Sequence, residues 1–250
     1  MLAALALHER RRHGPPPANA WRYAAAAGAF FAADLLLWHH AIGDVGAGLA
    51  TVLANLQVVF VAVAAWALLG ERPAARVAAA VPLVFIGALL ISGVIGSDAF
   101  GSDPVLGAVY GVLTAVAYTG FILVLREGSR DLRRLAGPLF AATLVATLVA
   151  AGVGALLGEV DLRPSWPAHG WLVTLALTSQ VLGWLLIAVA LPRLPAALTS
   201  VVLTVQPVGS VLLGIVLLGE QPAPLQLVGV AIIVAAIVVA TRHEPRSALA

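Results

Sequence analysis

The chain has 250 residues, 61% hydrophobic and only 10% charged, with a mean hydropathy of +1.01. Soluble domains carry about a quarter charged residues, so this composition excludes a water-soluble protein and describes an integral membrane protein. There is no Cys, which removes disulfide and thiolate chemistry, and the net charge of +2 says less than the placement of 14 basic residues that are all Arg.

The chain opens on "MLAALALHERRRHGPPP", a short apolar run ahead of the charges, the reverse order of a secretory signal. Eight apolar segments of spanning length follow, cut at Gly, Pro and charged positions: 24–42, 46–69, 75–95, 104–125, 134–157, 168–190, 195–218 and 224–241. The joins are short, as in a compact all-α bundle. With the N-terminus cytoplasmic, the inner segments hold Arg10, Arg11, Arg12, Arg22, Arg72, Arg76, Arg126, Arg130, Arg133, Arg134, Arg193, Arg242 and Arg246, and the outer loops hold only Arg163. Thirteen against one is a decisive positive-inside bias. It predicts a multi-pass protein of the plasma or inner membrane with both termini cytoplasmic.

One phrase occurs twice: "LLGERP" at 68–73 and "LLGEQP" at 217–222, a shift of 149 residues. The same shift places Gln57 on Gln206, Thr51 on Ser200, Leu49 on Leu198, Glu71 on Glu220 and Pro73 on Pro222 without a gap. Apolar helices match Leu and Val by chance, but rarely a Gln, a Glu and a Pro in register, so the chain reads as an internal duplication. Glu71 falls in an inner loop and Glu220 in an outer one, which predicts two copies in inverted topology. The second copy, 104–241, has five spans. The first, 1–95, has three spans plus the stub of a fourth, since Met1 to Leu7 align with Ala150 to Leu156 in an apolar helix. The fold expected is thus a polytopic helical bundle of inverted five-helix repeats, with eight spans present of ten and roughly 45 residues missing upstream by the same shift.

A five-helix unit repeated in inverted topology, each copy closing on "LLGE" and then Pro, resembles the drug/metabolite transporter superfamily, in its EamA-type branch. "FFAADLLLWHHAIGDVGAGLATVLANLQVVFVAVAAWALLGERP" is similar to the third and fourth helices of that family's first copy. "LTSVVLTVQPVGSVLLGIVLLGEQPAPLQLVGVAIIVAAIVV" is similar to its ninth and tenth. The resemblance covers essentially the whole chain and implies transport, with export as the direction.

Inverted repeats allow alternating access around a site at the bilayer midplane, where every polar side chain calls for a reason. Gln57 and Gln206 sit halfway along matching helices. They are either substrate hydrogen-bonding groups facing one cavity or interhelical glue worth about 0.6 kcal/mol. Pro207 removes a backbone donor and frees the Leu203 carbonyl, which predicts a kink beside a cavity. Asn55 and Thr204 form another matched pair, as do Thr51 and Ser200; for the last two, bonding to their own backbone is the plainer reading. Asp34 is the one acid well inside a predicted span, where a charge costs roughly 2.5–3.5 kcal/mol, so it is paired, hydrated or protonated. It reads as a proton-coupling residue, the alternative being a bundle-stabilising hydrogen bond. Its repeat mate is Gly183, and a coupling site is expected to be asymmetric. Trp38, one turn away, lines the cavity or belongs to the interfacial aromatic belt. His39, His40 and Asp44 end the same segment, but adjacent helical positions diverge by about 100°, so no metal site is expected. In the second copy Tyr118 and Thr119 lie in 104–125, and Gln180 and Trp184, one turn apart, lie in 168–190. The resemblance implies a substrate among these helices, and aromatic plus amide suits a small, partly apolar solute. The spacing of Gly107 and Gly111 in "GAVYG" is a close-packing motif.

No P-loop, nucleophile elbow or carboxylate pair gives catalysis a foothold, and no cofactor is expected. The absence of mid-helix Arg argues against phosphorylated cargo, which needs fixed cations. The function expected is secondary active transport of a small neutral or zwitterionic metabolite: an amino acid, a purine or an amphipathic drug. The alternative is a truncated, non-transporting membrane protein. The partners expected are the substrate and the lipid bilayer, with a homodimer open and no nucleic acid.

Overall fold

A computed structural model describes residues 2–17, 19–70, 75–93, 95–96, 98–128, 136–158, 163, 165–178 and 196–241, with side chains at all of these except 69, 196–205 and 241. The described residues form helices and connecting turns with no strand: α1 (Leu2–His13), α2 (Ala20–Val45), α3 (Ala47–Ala54), α4 (Gln57–Leu69), α5 (Ala75–Ile91), α6 (Pro104–Gly128), α7 (Ala136–Leu157), α8 (Ala168–Leu175), α9 (Ala196–Leu218) and α10 (Pro224–Thr241). Four stretches are long and apolar enough to cross a bilayer: Ala20–Val45, Ala47–Leu68, Pro104–Gly128 and Ala136–Leu157. Ala75–Ile91, Ala168–Thr178, Gln206–Leu218 and Pro224–Ala240 are apolar but shorter.

The segment expected as one helix over 46–69 runs as one span, Ala47–Leu68, with a single tighter turn at Asn55 and Leu56, both right-handed helical, between α3 and α4. The cause is local. The Asn55 side-chain amide donates to the Thr51 carbonyl (2.8 Å), while the Leu56 N–H turns to Leu53 (3.0 Å) in a tighter bond. The run expected to end near Leu7 continues instead through the charges to His13. The repeated "LLG" has a shared conformation: Gly70 and Gly219 both adopt left-handed φ angles, 71° and 69°, which end α4 and α9 without a Cβ penalty.

Lipid supplies no hydrophobic force between apolar helices, so contact depends on close approach at small residues. Against α2, α6 runs antiparallel. A Cβ on Gly120 would meet the Phe30 ring at 2.6 Å, Gly128 sits on Tyr23, and Phe31 stacks on Phe121 at 4.7 Å. On the same helix Gly107 packs against Val45 and Gly111 against Leu53, so α6 runs alongside α3 in the same direction. Gly28 fits α2 against Ala142 and Val145 of α7. Gly87 of α5 meets Gly229 and Ile233 of α10, while Ile91 lies beside Gly229, so α5 and α10 are antiparallel.

The main core gathers Leu49, Leu53, Leu56, Val84, Ile91, Ile233 and Ile237, and a smaller one gathers Ala27, Phe121 and Ala142. Outside these, Leu68, Leu156, Val216 and Leu217 are fully presented to the surroundings, a pattern suited to lipid and not to water.

A Cβ at Gly87 would stand 2.5 Å from Ile233 and 2.9 Å from the Gly229 carbonyl, whereas nothing lies within 4 Å of Gly152. Gly87→Val is expected to destabilise the bundle by about 1–3 kcal/mol through overpacking. Gly152→Ala is expected to leave it unchanged or stabilise it by about 0.5–1 kcal/mol. Unfolding titration of the detergent-solubilised protein measures both.

Candidate functional site

Three buried polar groups collect at one depth of the bundle. Asp34 lies 11 residues from the Val45 end of α2, Gln57 lies 10 beyond Ala47, and Thr114 lies 10 beyond Pro104. At 1.5 Å per residue each is about 15 Å from the same end, since α2, α3 and α6 meet there at Val45 and Gly107. Thr114 follows Gly111 by one turn on α6, and Gln57 follows Leu53 by one turn across the α3–α4 junction, so both lie along the seam where Gly111 packs on Leu53.

The chemistry of these groups is unfinished. Gln57 Oε1 and Thr114 Oγ1 are buried without a hydrogen-bond partner. Asp34 is 8% exposed and has no hydrogen-bond or ion-pair partner among the described residues. The Tyr118 hydroxyl lies within electrostatic reach of the Asp34 carboxyl, and its ring packs on Phe121 at 5.6 Å. Leaving a buried donor or acceptor unpaired costs about 1–3 kcal/mol, and Arg76 Nε at the start of α5 is a third buried atom without a partner.

The other residues singled out from sequence have different surroundings. Asn55 is buried and uses its amide on Thr51; the Thr51 hydroxyl donates to Ala47 (2.7 Å) and that of Thr119 to Ala115 (2.7 Å). Trp38 packs half-buried against the main core. Gln206, expected to face one cavity with Gln57, is exposed instead. Pro207, Val211 and Gly214 form the buried stripe of α9 at helical spacing, and Gln206 stands one residue off it. His39 is exposed, and the His40 ring bonds the Leu36 carbonyl at 2.8 Å and tilts onto Tyr110. Gln180 and Trp184 lie outside the described residues, as does Glu71.

The two ends of the bundle differ. At the Arg-rich end, a cavity of about 880 Å³ opens between α1, α2, α6 and α7, lined by Arg10, Trp21, Tyr23, Leu125 and Phe140. It contains none of the mid-depth polar groups. Glu9 bonds the Ala136 and Gly137 amides beside it (2.9 and 2.8 Å), capping α7.

At the Arg-poor end a smaller cavity of about 190 Å³ lies among Leu90, Ile95, Asp98 and Leu225, beside hydrogen bonds that tie the helix ends together. Glu220, 6% exposed in the corner between α9 and α10, receives the first amides of α3: Ala47 N–H donates to Oε1 (2.5 Å) and Gly48 N–H to Oε2 (3.1 Å). Three glycines make room for the carboxylate. A Cβ on Gly46 or Gly48 would stand 2.9 Å from it, and Gly214 lies against it. The Phe100 ring covers Gly46. Gln226 pins Phe100 by accepting from its N–H (2.8 Å) and donating to its carbonyl (3.2 Å), and it also donates to Ile91 (3.0 Å). Sequence reading missed Glu9, Glu220 and Gln226 as hydrogen-bond partners and Thr114 as a buried hydroxyl. The recurrence of Glu in "LLGE" was the one available signal.

Thr114→Val replaces an unpaired hydroxyl with a methyl of similar shape. Stability is expected to stay within about 1 kcal/mol of the parent or to rise, because no native hydrogen bond is lost. Thermal unfolding in detergent tests this.

The sequence profile of the EamA-like transporter family matches residues 1–93 and 105–242. No curated protein and no solved structure gives a significant match. A bundle of apolar helices with an unfinished polar layer at mid-depth agrees with that profile, which spans nearly the whole chain, and the chain belongs to the EamA-like transporter family.

Proposed function

We propose that the chain is a secondary active transporter that moves a small neutral or zwitterionic solute by alternating access, in the direction of export. The observation that carries this reading is Gln57, halfway along Ala47–Leu68 and just after the tight turn at Asn55 and Leu56, with its side-chain oxygen buried and unpaired. A polar side chain at mid-membrane depth is costly and supplies the kind of group that a transported solute can bond. On this reading Gln57 and Thr114 hydrogen-bond the solute, and Tyr118 contributes an aromatic wall. Asp34 takes up and releases the proton that drives accumulation.

Two repeats in inverted topology are the proposed framework, supported by two facts. α5 and α10 pack antiparallel, and Gly70 and Gly219 share one conformation at positions 149 residues apart. With the Arg-rich end cytoplasmic, the cavity of about 880 Å³ between α1, α2, α6 and α7 opens inward, and the Arg-poor end, with a cavity of about 190 Å³, faces outward. That asymmetry suits an inward-facing state, the form in which an exporter loads its cargo. No arginine occupies the middle of a described apolar span, which disfavours phosphorylated solutes.

Counterflow in proteoliposomes against a panel of amino acids, purines and amphipathic amines tests the assignment; no movement of any member above empty liposomes rejects it for these classes. For a transported solute, Gln57→Leu is expected to lower uptake at subsaturating concentration about tenfold, the factor for one lost polar partner. Asp34→Asn is expected to abolish accumulation driven by a pH gradient while exchange of solute for solute persists. Unaltered accumulation removes Asp34 from the coupling step.

A further inference from the structure

The contact between Glu220 and the start of α3 is built differently from an ordinary helix cap. α3 has eight residues, Ala47–Ala54, set off from α2 by Gly46 at a positive φ of 85° and joined to α4 by one tighter turn at Asn55 and Leu56. The carboxylate binds at the Gly46 end. What holds α3 in place is a charge-assisted bond to its first two amides, reinforced by close packing of Gly48 on the backbone at Val211 (2.9 Å from a Cβ to Cα). The glycine cage has a consequence for release. When Glu220 withdraws, water can reach both the carboxylate and the α3 amides at the bundle's end, so opening leaves no unpaired charge buried in lipid.

From this geometry we propose that Glu220 is the latch of the Arg-poor gate, holding the start of α3 closed. The inference rests on the alternating-access reading, but its test needs no cargo. Val211 is buried at 5% exposure directly under the latch, and Val84 is fully buried in the core away from it. Because the chain has no cysteine, single-Cys variants at either position report local exposure cleanly.

In membrane vesicles, Val211→Cys is labelled with a membrane-impermeant maleimide in three backgrounds: the native Glu220, Glu220→Gln and Glu220→Ala. Labelling is expected to rise about tenfold in the Ala background, the scale of one lost charge-assisted bond, and by a smaller factor in the Gln background, which keeps the side chain's size. Val84→Cys is expected to stay protected in all three. An unchanged Val211→Cys rate in either variant overturns the latch, as does a rise at Val84→Cys that matches it, since that would mean general loosening. A protein that labels as expected but moves no solute keeps the latch and loses the transport reading; transport with unaltered labelling does the opposite.

Discussion

A helix bundle in lipid has no solvent to drive its helices together and none to hydrogen-bond the polar groups it encloses. The first condition places glycine at nearly every crossing described here. Gly28, Gly87, Gly107, Gly111, Gly120 and Gly229 each sit where a Cβ would collide with a neighbouring helix. Dispersion between closely approached backbones replaces the hydrophobic effect as the source of cohesion, so these positions tolerate little.

The second condition sorts the polar side chains. Glu9, Glu220 and Gln226 come from distant parts of the chain, and each spends its polar atoms on backbone groups that would otherwise be orphaned, at helix starts or in a loop. Their role in the described fold is complete. Gln57 and Thr114 each keep a buried side-chain oxygen without a partner, and Asp34 is buried at the same depth.

α3 ties these features together. It begins at the Arg-poor end, finishes at the polar layer, and lies within the first stretch matched by the family profile, while the carboxylate that holds it comes from the second.

The residues alone determined much of this molecule. Composition required a membrane, apolar runs bounded by Gly, Pro and Arg located the helices, and the twice-written "LLGE" phrase carried the family resemblance, because these signals are local in the chain. Asp34 and Gln57 were legible as costly polar residues in apolar runs for the same reason. Only the tertiary structure decided which polar groups were already satisfied. It showed Asn55 turned back on its own helix, and Gln206 one residue off the buried stripe of α9. It also brought Glu220 to Ala47 across 173 positions of sequence. Pairing over such distances depends on which helices meet and how they are rotated, and the pattern along a nearly uniform apolar sequence leaves rotation unspecified.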